Sequence, residues 1–455
     1  MTGGTKDELL LRLRNGGVMS RGEKVRLVAL LSLPAMLGQL SSIIMQYIDA
    51  MMVGQLGASA SASIGLVSTT TWLFGGLTVS IGAGFSVLVA QRIGARKNDE
   101  ARDILRQALL VCFCFASGIA VLCASFHRLL PVWLGGGPEV VGDAARYFLI
   151  WALMVPVMQM LHLSNSMLRC SGEVKVPMFM GVMMCLLDVV FNLFFIPRWG
   201  VVGAALATAL AGTCCSLTSL WYLIARSKEL SLVGHPGRIR LQWEIIRQSL
   251  RIGLPMAVEH VVFCGAQIVS TLIIAPLGTV AIAANTIGIT VESLCYMPGY
   301  GIGDAATTLV GQSVGARRRD LVRSFSYPTV ALGVVVMSVL GVVMFVFAPG
   351  LMAMMSSSAA VRLAGVSALR IEAFAEPMYA ASIVAYGVFV GAGDTLKPCC
   401  MNLFSIWAVR IPLAAWLAWG LGLGLNGVWL AMCVELCFRG IIFLVRLWYK
   451  NRQPV

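Results

Sequence analysis

The hydrophobic positions of this chain come in long blocks rather than in alternation. Apolar stretches fall at about 27–53, 62–91, 104–134, 145–168, 176–197 and 200–225, then at about 252–276, 280–311, 324–349, 363–391, 397–420 and 424–448. Each is long enough for a helix to cross about 30 Å of hydrocarbon. A polar linker, 226–251, separates the two sets and carries Arg226, Lys228, His235-Pro236-Gly237, Arg238, Arg240, Arg247 and Arg251. No ten-residue alternating segments of the kind that build a lipid-facing barrel occur. The pattern predicts an all-α polytopic membrane protein, with twelve transmembrane helices in two six-helix lobes. The expected organisation is an N-terminal segment 1–26, an N-lobe 27–225, the linker 226–251, a C-lobe 252–448 and a tail 449–455.

The polar positions set the orientation. Arg92, Arg96, Lys97, Arg102 and Arg106 lie between the second and third stretches, Arg169 and Lys175 between the fourth and fifth, and Arg317, Arg318, Arg319 and Arg323 between the eighth and ninth. Lys397 lies between the tenth and eleventh, whereas the alternate connections carry only Arg128, Arg146, Arg198 and Arg362. By the positive-inside rule both termini are cytoplasmic in a multi-pass protein of the plasma membrane.

Composition changes the picture little. Of 455 residues 58% are hydrophobic and 12% charged, about half the charge of a soluble chain. The basic residues behind the net charge of +13 cluster in short segments between the apolar stretches, so the lipid bilayer and not nucleic acid is the expected partner. The 13 cysteines, such as Cys112, Cys185, Cys264 and Cys433, sit in apolar stretches without metal-site spacing, and the four histidines form no His-Glu-x-x-His pattern. No enzyme constellation stands out. The leucines at 9–11 and 13 read as a short amphipathic helix on the membrane surface.

An internal repeat organises the rest. Leu33-Pro34 reappears as Leu254-Pro255, and 255 − 34 gives an offset of 221. That offset maps Leu56-Gly57 onto Leu277-Gly278, and Gln91-x-x-Gly94-Ala95-Arg96 onto Gln312-x-x-Gly315-Ala316-Arg317. It also maps Pro156 onto Pro377, Gly172-Glu173 onto Gly393-Asp394 and Pro177 onto Pro398, and with a small shift Gly200-x-x-Gly203 answers Gly424-x-x-Gly427. Six spans per half is an even number, so both halves insert the same way up and a pseudo-twofold axis runs along the membrane normal. Duplication of this kind points to a secondary transporter. The Gly-Ala-Arg triplets read as helix caps at the basic face, and the glycines at 422–427 as a turn with close helix packing rather than a dinucleotide fingerprint.

Within this frame acids are the candidate chemistry. Asp49 lies near the end of the first stretch, and a carboxylate within a span costs roughly 2.5–3.5 kcal/mol unless it faces a cavity or a partner. It is expected to bind a proton or a small cation. Asp188 and Asn192 lie four residues apart on one helical face and offer hard oxygen ligands, and Thr208 could add a hydroxyl. At the repeat offset Asp49 answers to Ser270 and Asp188 to Val409, so any such site belongs to the N-lobe. The C-lobe has acids of its own. Glu259, Glu292, Glu372 and Glu376 stand opposite Gly38, Thr71, Trp151 and Val155. They are expected in the substrate cavity, with Glu259 and Glu376 contacting substrate or a second proton. Alternatively, Glu372 lies shallow at the outer mouth. Glu435 and Arg410 could form a structural ion pair. Gln39, Tyr47, Asn165 and Tyr296 are plausible cavity liners.

At Asp49-x-x-x-Val-Gly-x-Leu-Gly, the two Gln-x-x-Gly-Ala-Arg motifs and Gly391-Ala-Gly-Asp-Thr, the chain resembles the multidrug and toxic compound extrusion family, with coverage from about Leu27 to Leu447. The resemblance implies antiport, with sodium or protons moving in and organic, often cationic, small molecules moving out. It implies no cofactor beyond Na+ or H+, and a monomer is expected. It assigns Asp49, Asp188, Asn192 and Thr208 to a cation site, the first three as ligands if the ion is sodium; many relatives carry Asn at the position of Asp188. A lipid-linked oligosaccharide flippase of the same superfamily is the alternative, and it calls for a strongly basic cavity.

Overall fold

Long helices follow one another along the chain, and what ends each of them is readable in the backbone. The computed structural model describes residues 5–235, 237 and 240–452, so that Pro236 and Arg238 of the linker lie outside the described residues. A capping box between Thr5 and Glu8 starts α1 (Lys6–Arg14). The following helices are α2 (Arg21–Gly54), α3 (Ala58–Gly94), α4 (Asn98–Phe126), the short α5 (Leu130–Trp133), α6 (Pro138–Ser171) and α7 (Lys175–Ala225). After the linker come α8 (Trp243–Ile274), α9 (Thr279–Gly315), α10 (Arg319–Met355), α11 (Ala359–Glu372) and α12 (Glu376–Gly391). The last stretch runs through α13 (Leu396–Phe404), α14 (Ile411–Ala415) with π-helical turns on either side, and α15 (Gly424–Arg452).

Ten helices among the described residues are long and apolar enough to cross a membrane, and α11 with α12, bent by 60°, makes an eleventh span. Helix α7 accounts for the twelfth. Its 51 residues would reach about 76 Å at 1.5 Å per residue, far more than one bilayer. Gly200 inside it has φ 55° and ψ −127°, and so divides it into two spans where the sequence places a boundary. Gly203 lets the second span double back tightly: a Cβ there would lie 2.2 Å from the Phe195 carbonyl oxygen. The repeat reproduces the device, with Gly424 at φ +57° and a Gly427 Cβ 2.7 Å from the Leu417 backbone.

The chain divides into two compact units, one of residues 38–257 and one of the residues up to Leu37 together with those from Val258 on; the boundaries fall inside α2 and α8. In the first, α6 is the hub and packs on α3, α4 and α7. In the second, α9 and α12 pack on each other and on α10. Here α1 departs from the sequence expectation. Its Leu9, Leu10 and Leu13 are buried in the protein, Arg14 Nε donates to Gln312 Oε1 at 3.1 Å, and Arg318 Nη1 donates to the Gly17 carbonyl at 3.0 Å. The leucine face is therefore covered by the protein's own helices rather than by lipid.

The backbone repeats more faithfully than the side chains. Arg96 and Arg317, 221 apart, are the non-glycine residues with positive φ among the described residues, at 60° and 55°. In both Gly-Ala-Arg caps the left-handed residue is thus the arginine and not the glycine, at a cost of roughly 1–2 kcal/mol each. Gly172 and Gly393 are left-handed as well, and the acid after each anchors a later helix end. Glu173 accepts from the Lys228 amide at 2.8 Å and Ser227 Oγ at 3.1 Å, and Asp394 from Arg446 at 2.6 Å and Lys450 at 3.0 Å. Burial alone would raise the Asp394 carboxyl, but hydrogen bonds and charge from Lys450 and Arg446 hold it below its usual range.

Glu435 does not pair as an ion couple with Arg410. Arg439, one turn along α15, grips it with two bonds of 2.8 and 2.9 Å, and Ser405 Oγ donates to the same carboxylate. The i, i+4 spacing on a rigid helix presents the guanidinium fork to the carboxylate, whereas the Arg410 guanidinium contacts the Met432 sulfur. Two stability predictions follow from this packing. Gly203→Ala and Gly427→Ala should each lower the melting temperature in detergent, at about 1–3 kcal/mol for overpacking. Gly118→Ala, whose Cβ would meet nothing within 4 Å, should not. Glu435→Gln should cost about 3–5 kcal/mol by leaving a buried arginine uncompensated, and the double change Glu435→Leu with Arg439→Met should be milder; equal melting shifts for single and double variants would contradict the ion-pair reading.

Candidate functional site

In the unit of residues 38–257, three polar side chains meet in an apolar wall. Asp49 comes from α2, and Asp188 and Asn192 from consecutive turns in the first half of α7. The Asn192 side-chain nitrogen donates one hydrogen to Asp49 Oδ1 at 2.7 Å and the other to Asp188 Oδ2 at 2.8 Å. The two carboxylate oxygens are therefore no more than about 5.5 Å apart, the sum of the two bonds. Asp188 and Asn192 are fully buried, and the second oxygen of Asp188 and the amide oxygen of Asn192 have no hydrogen-bond partner among the described residues.

This arrangement has an electrostatic consequence. Two negative charges no more than about 5.5 Å apart repel by at least about 3 kcal/mol at an effective dielectric of about 20, and one amide cannot neutralise both. A single added positive charge, as a proton on one carboxylate or a small monovalent cation among the oxygens, removes that repulsion. Among the described residues no group of three His, Cys, Asp or Glu side chains could hold a metal ion. A cation here would be held by two carboxylates and the neutral Asn192 oxygen, a hard donor set suited to an alkali ion.

Thr208 is not drawn into this cluster by its hydroxyl, which donates to the Ala204 carbonyl of its own helix at 3.2 Å. A residue the sequence did not single out packs beside these helices. Tyr147 of α6 packs with Val53, Ile196, Val201 and Ala204 and is within electrostatic reach of both Asp49 and Asp188. Nothing in the sequence marks it, since a tyrosine in an apolar stretch is ordinary and only the packing of α6 on α7 brings it in. Of the expected cavity liners in this unit, Asn165 accepts from Ser219 Oγ at 2.8 Å and so ties α6 to α7, while Gln39 and Tyr47 lie half-buried on α2.

The other unit gathers acids. Glu292 of α9, Glu372 at the end of α11 and Glu376 at the start of α12 are 4%, 1% and 1% exposed. They lie within electrostatic reach of one another, with Arg410 as a countercharge to Glu292 and Glu372. All four carboxylate oxygens of Glu372 and Glu376 are buried without a hydrogen-bond partner. Glu372 is enclosed by protein; it stands at the break between α11 and α12, where Pro377 supplies no N–H. Glu259 is satisfied separately, by Tyr386 Oη at 2.8 Å and Asn402 Nδ2 at 2.6 Å. Tyr296 packs between Tyr300 and Tyr379, with ring centroids 6.0 and 5.7 Å away, an aromatic wall in the acidic unit.

Comparison with known proteins agrees with this architecture. A family model described as MatE matches residues 34–194 and again 255–416, two copies whose starts differ by the same 221 residues. The chain is 26% identical to the probable multidrug resistance protein NorM of Thermotoga maritima over 92% of both chains. It is 24% identical to the multidrug resistance protein MdtK of Yersinia enterocolitica over 95% of this chain and 96% of that one. Among solved structures, a MATE protein in the straight conformation superposes with a TM-score of 0.90 at 22% identity over 97% of this chain and 98% of that one. The outward-facing conformation of a multidrug resistance MATE family transporter of the MOP superfamily gives 0.88 at 22% identity, over 98% and 99%. Those structures share the fold. With two copies of the family model together covering most of its length, this all-helical, multi-pass membrane protein belongs to the MatE family, a family of transporters and not of enzymes.

Proposed function

We propose that the chain is a cation-coupled antiporter that exports organic, often cationic, small molecules by alternating access of two lobes. The observation that carries the reading is the bridge at Asn192: two carboxylates on one amide, with two further oxygens buried and unpartnered. Entry of sodium or a proton relieves the repulsion between Asp49 and Asp188 and draws α2 and α7 together. Loss of the ion reverses the change. The ion's free energy gradient is thereby converted into a preference between two conformations, which is what coupling requires.

The acids at Glu292, Glu372 and Glu376 act on the solute. Three buried carboxyl groups without hydrogen-bond partners or sharing the one Arg410 countercharge lie in the same unit as the aromatic faces of Tyr296 and Tyr379, and acidic oxygens and ring faces both suit an organic cation. The names of the relatives, multidrug resistance proteins, support the same substrate class. The flippase alternative asks for a basic centre, and the buried titratable groups here are mainly acids. Both termini lie on the cytoplasmic side of the plasma membrane, as the basic connections suggest, and the monomer suffices.

The test is dye flux in proteoliposomes under an imposed sodium or proton gradient. Asp49→Asn and Asp188→Asn should each lower gradient-driven export of an ethidium-like dye at least about tenfold while leaving the folded protein in the membrane, because each removes the charge that the ion compensates. Full coupled export by Asp49→Asn sinks the proposal. Thr208→Val should have a smaller effect than either, since its hydroxyl bonds its own helix. Glu376→Gln should weaken transport of cationic dyes more than that of neutral ones; equal loss for both classes would remove Glu376 from the solute site.

A further inference from the structure

On the surface of the unit from Val258 on, where Leu363 and Phe374 stay exposed, α11 and α15 leave a groove of about 570 Å³ between them. Leu363, Val366, Phe374 and Leu430 make it apolar, with Ser367 at its wall, and Arg370 is the one charged residue that lines it. Arg370 is exposed and in no ion pair among the described residues. Its contacts are a long bond of 3.4 Å to the Phe345 carbonyl and the Phe345 ring 5.3 Å away. The repeat partner of Arg370 is Leu149 (370 − 221), so the charge belongs to one half only.

An exposed arginine within a span is costly, by roughly 2.5–3.5 kcal/mol at the centre and less toward the edge, and an anion that meets it offsets that cost. The neighbouring acid, Glu372, is buried and faces inward. The depth tells where an anion could come from. The apolar run 324–349 of α10 centres near residue 336, which puts Phe345 about 13 Å from the midplane at 1.5 Å per residue, close to the edge of the hydrocarbon. The direction is away from Arg317, Arg318 and Arg319. At that level phosphates of the opposite leaflet are within reach of a snorkelling guanidinium.

We propose that this groove is a binding site for one anionic diacyl phospholipid, with the phosphate on Arg370 and an acyl chain along the apolar wall. Charge complementarity selects the class. A zwitterionic lipid would bring an ammonium group as well, and the groove lining holds no acid to receive it. The guanidinium fork matches a phosphate in geometry as well as charge.

Native mass spectrometry of the delipidated full-length protein, titrated with phosphatidylglycerol and with phosphatidylcholine of the same chains, tests the assignment. The native chain should retain one phosphatidylglycerol in preference to phosphatidylcholine. Arg370→Gln should weaken that binding about tenfold, the loss of one charge-assisted contact, and Arg370→Lys should weaken it less. Ser367→Trp keeps the charge but fills the groove, and should abolish retention of the lipid; gel filtration and the helical circular dichroism of each variant report that it is folded. Equal retention of the two lipids, unchanged binding in Arg370→Gln, or tighter binding of oleate than of phosphatidylglycerol would each overturn the proposal.

Discussion

The structure depends on how it keeps charge inside a low-dielectric span. Asn192 does this in the smallest possible way, giving one hydrogen to Asp49 and one to Asp188. Because the bridge lies between α2, the first span, and the first half of α7, the fifth, any change in its charge is felt by both. The same rule governs the other buried ions. Glu435 is closed off by Arg439 and is structural, while Glu372 and Glu376 leave every oxygen unpartnered. Satisfied carboxylates hold the fold together; unsatisfied ones mark where a mobile positive charge can act.

Duplication supplied the frame and divergence supplied the chemistry. The left-handed arginines at 96 and 317, the turn glycines at 57 and 278, and the acid anchors at 173 and 394 occur at one offset in both halves. These positions answer to backbone geometry, which a helix end imposes whatever its sequence. The acids obey no such constraint. Asp49 and Asp188 have no acidic counterparts, and neither have Glu292, Glu372 and Glu376, so two equivalent backbones carry two different electrostatic environments. Pro156 and Pro377 make the point for a single helix: α6 runs through its proline, whereas α11 and α12 part by 60° between two buried glutamates.

Much of the fold was legible in the chain. Span length, the even number of spans per half and the basic connections depend on hydrophobic thickness and charge, which are local and one-dimensional. Gly200 could be placed as a boundary for the same reason, although only its dihedral angles explain how a helix of 51 residues becomes two spans. At α1 local reading failed. A leucine face must be buried, but a membrane surface and the adjoining ends of α9 and α10 bury it equally well, and only the bonds from Arg14 and Arg318 distinguish them.

The candidate site divides along the same line. The sequence alone determined that Asp49 is an expensive charge, that Asp188 and Asn192 share a helical face, and that the C-terminal half carries its own acids, because cost and helical period are properties of residue type and spacing. Tertiary structure decided which of them meet. It brought Asp49 to Asn192 across 143 residues, kept the Thr208 hydroxyl on its own helix, added Tyr147, gave Glu435 to Arg439, and left Arg370 exposed on an apolar groove. The physical reason is that hydrogen bonds and ion pairs are set at the scale of a few ångströms by helix packing, and no pattern along a single chain encodes the distance between two helices.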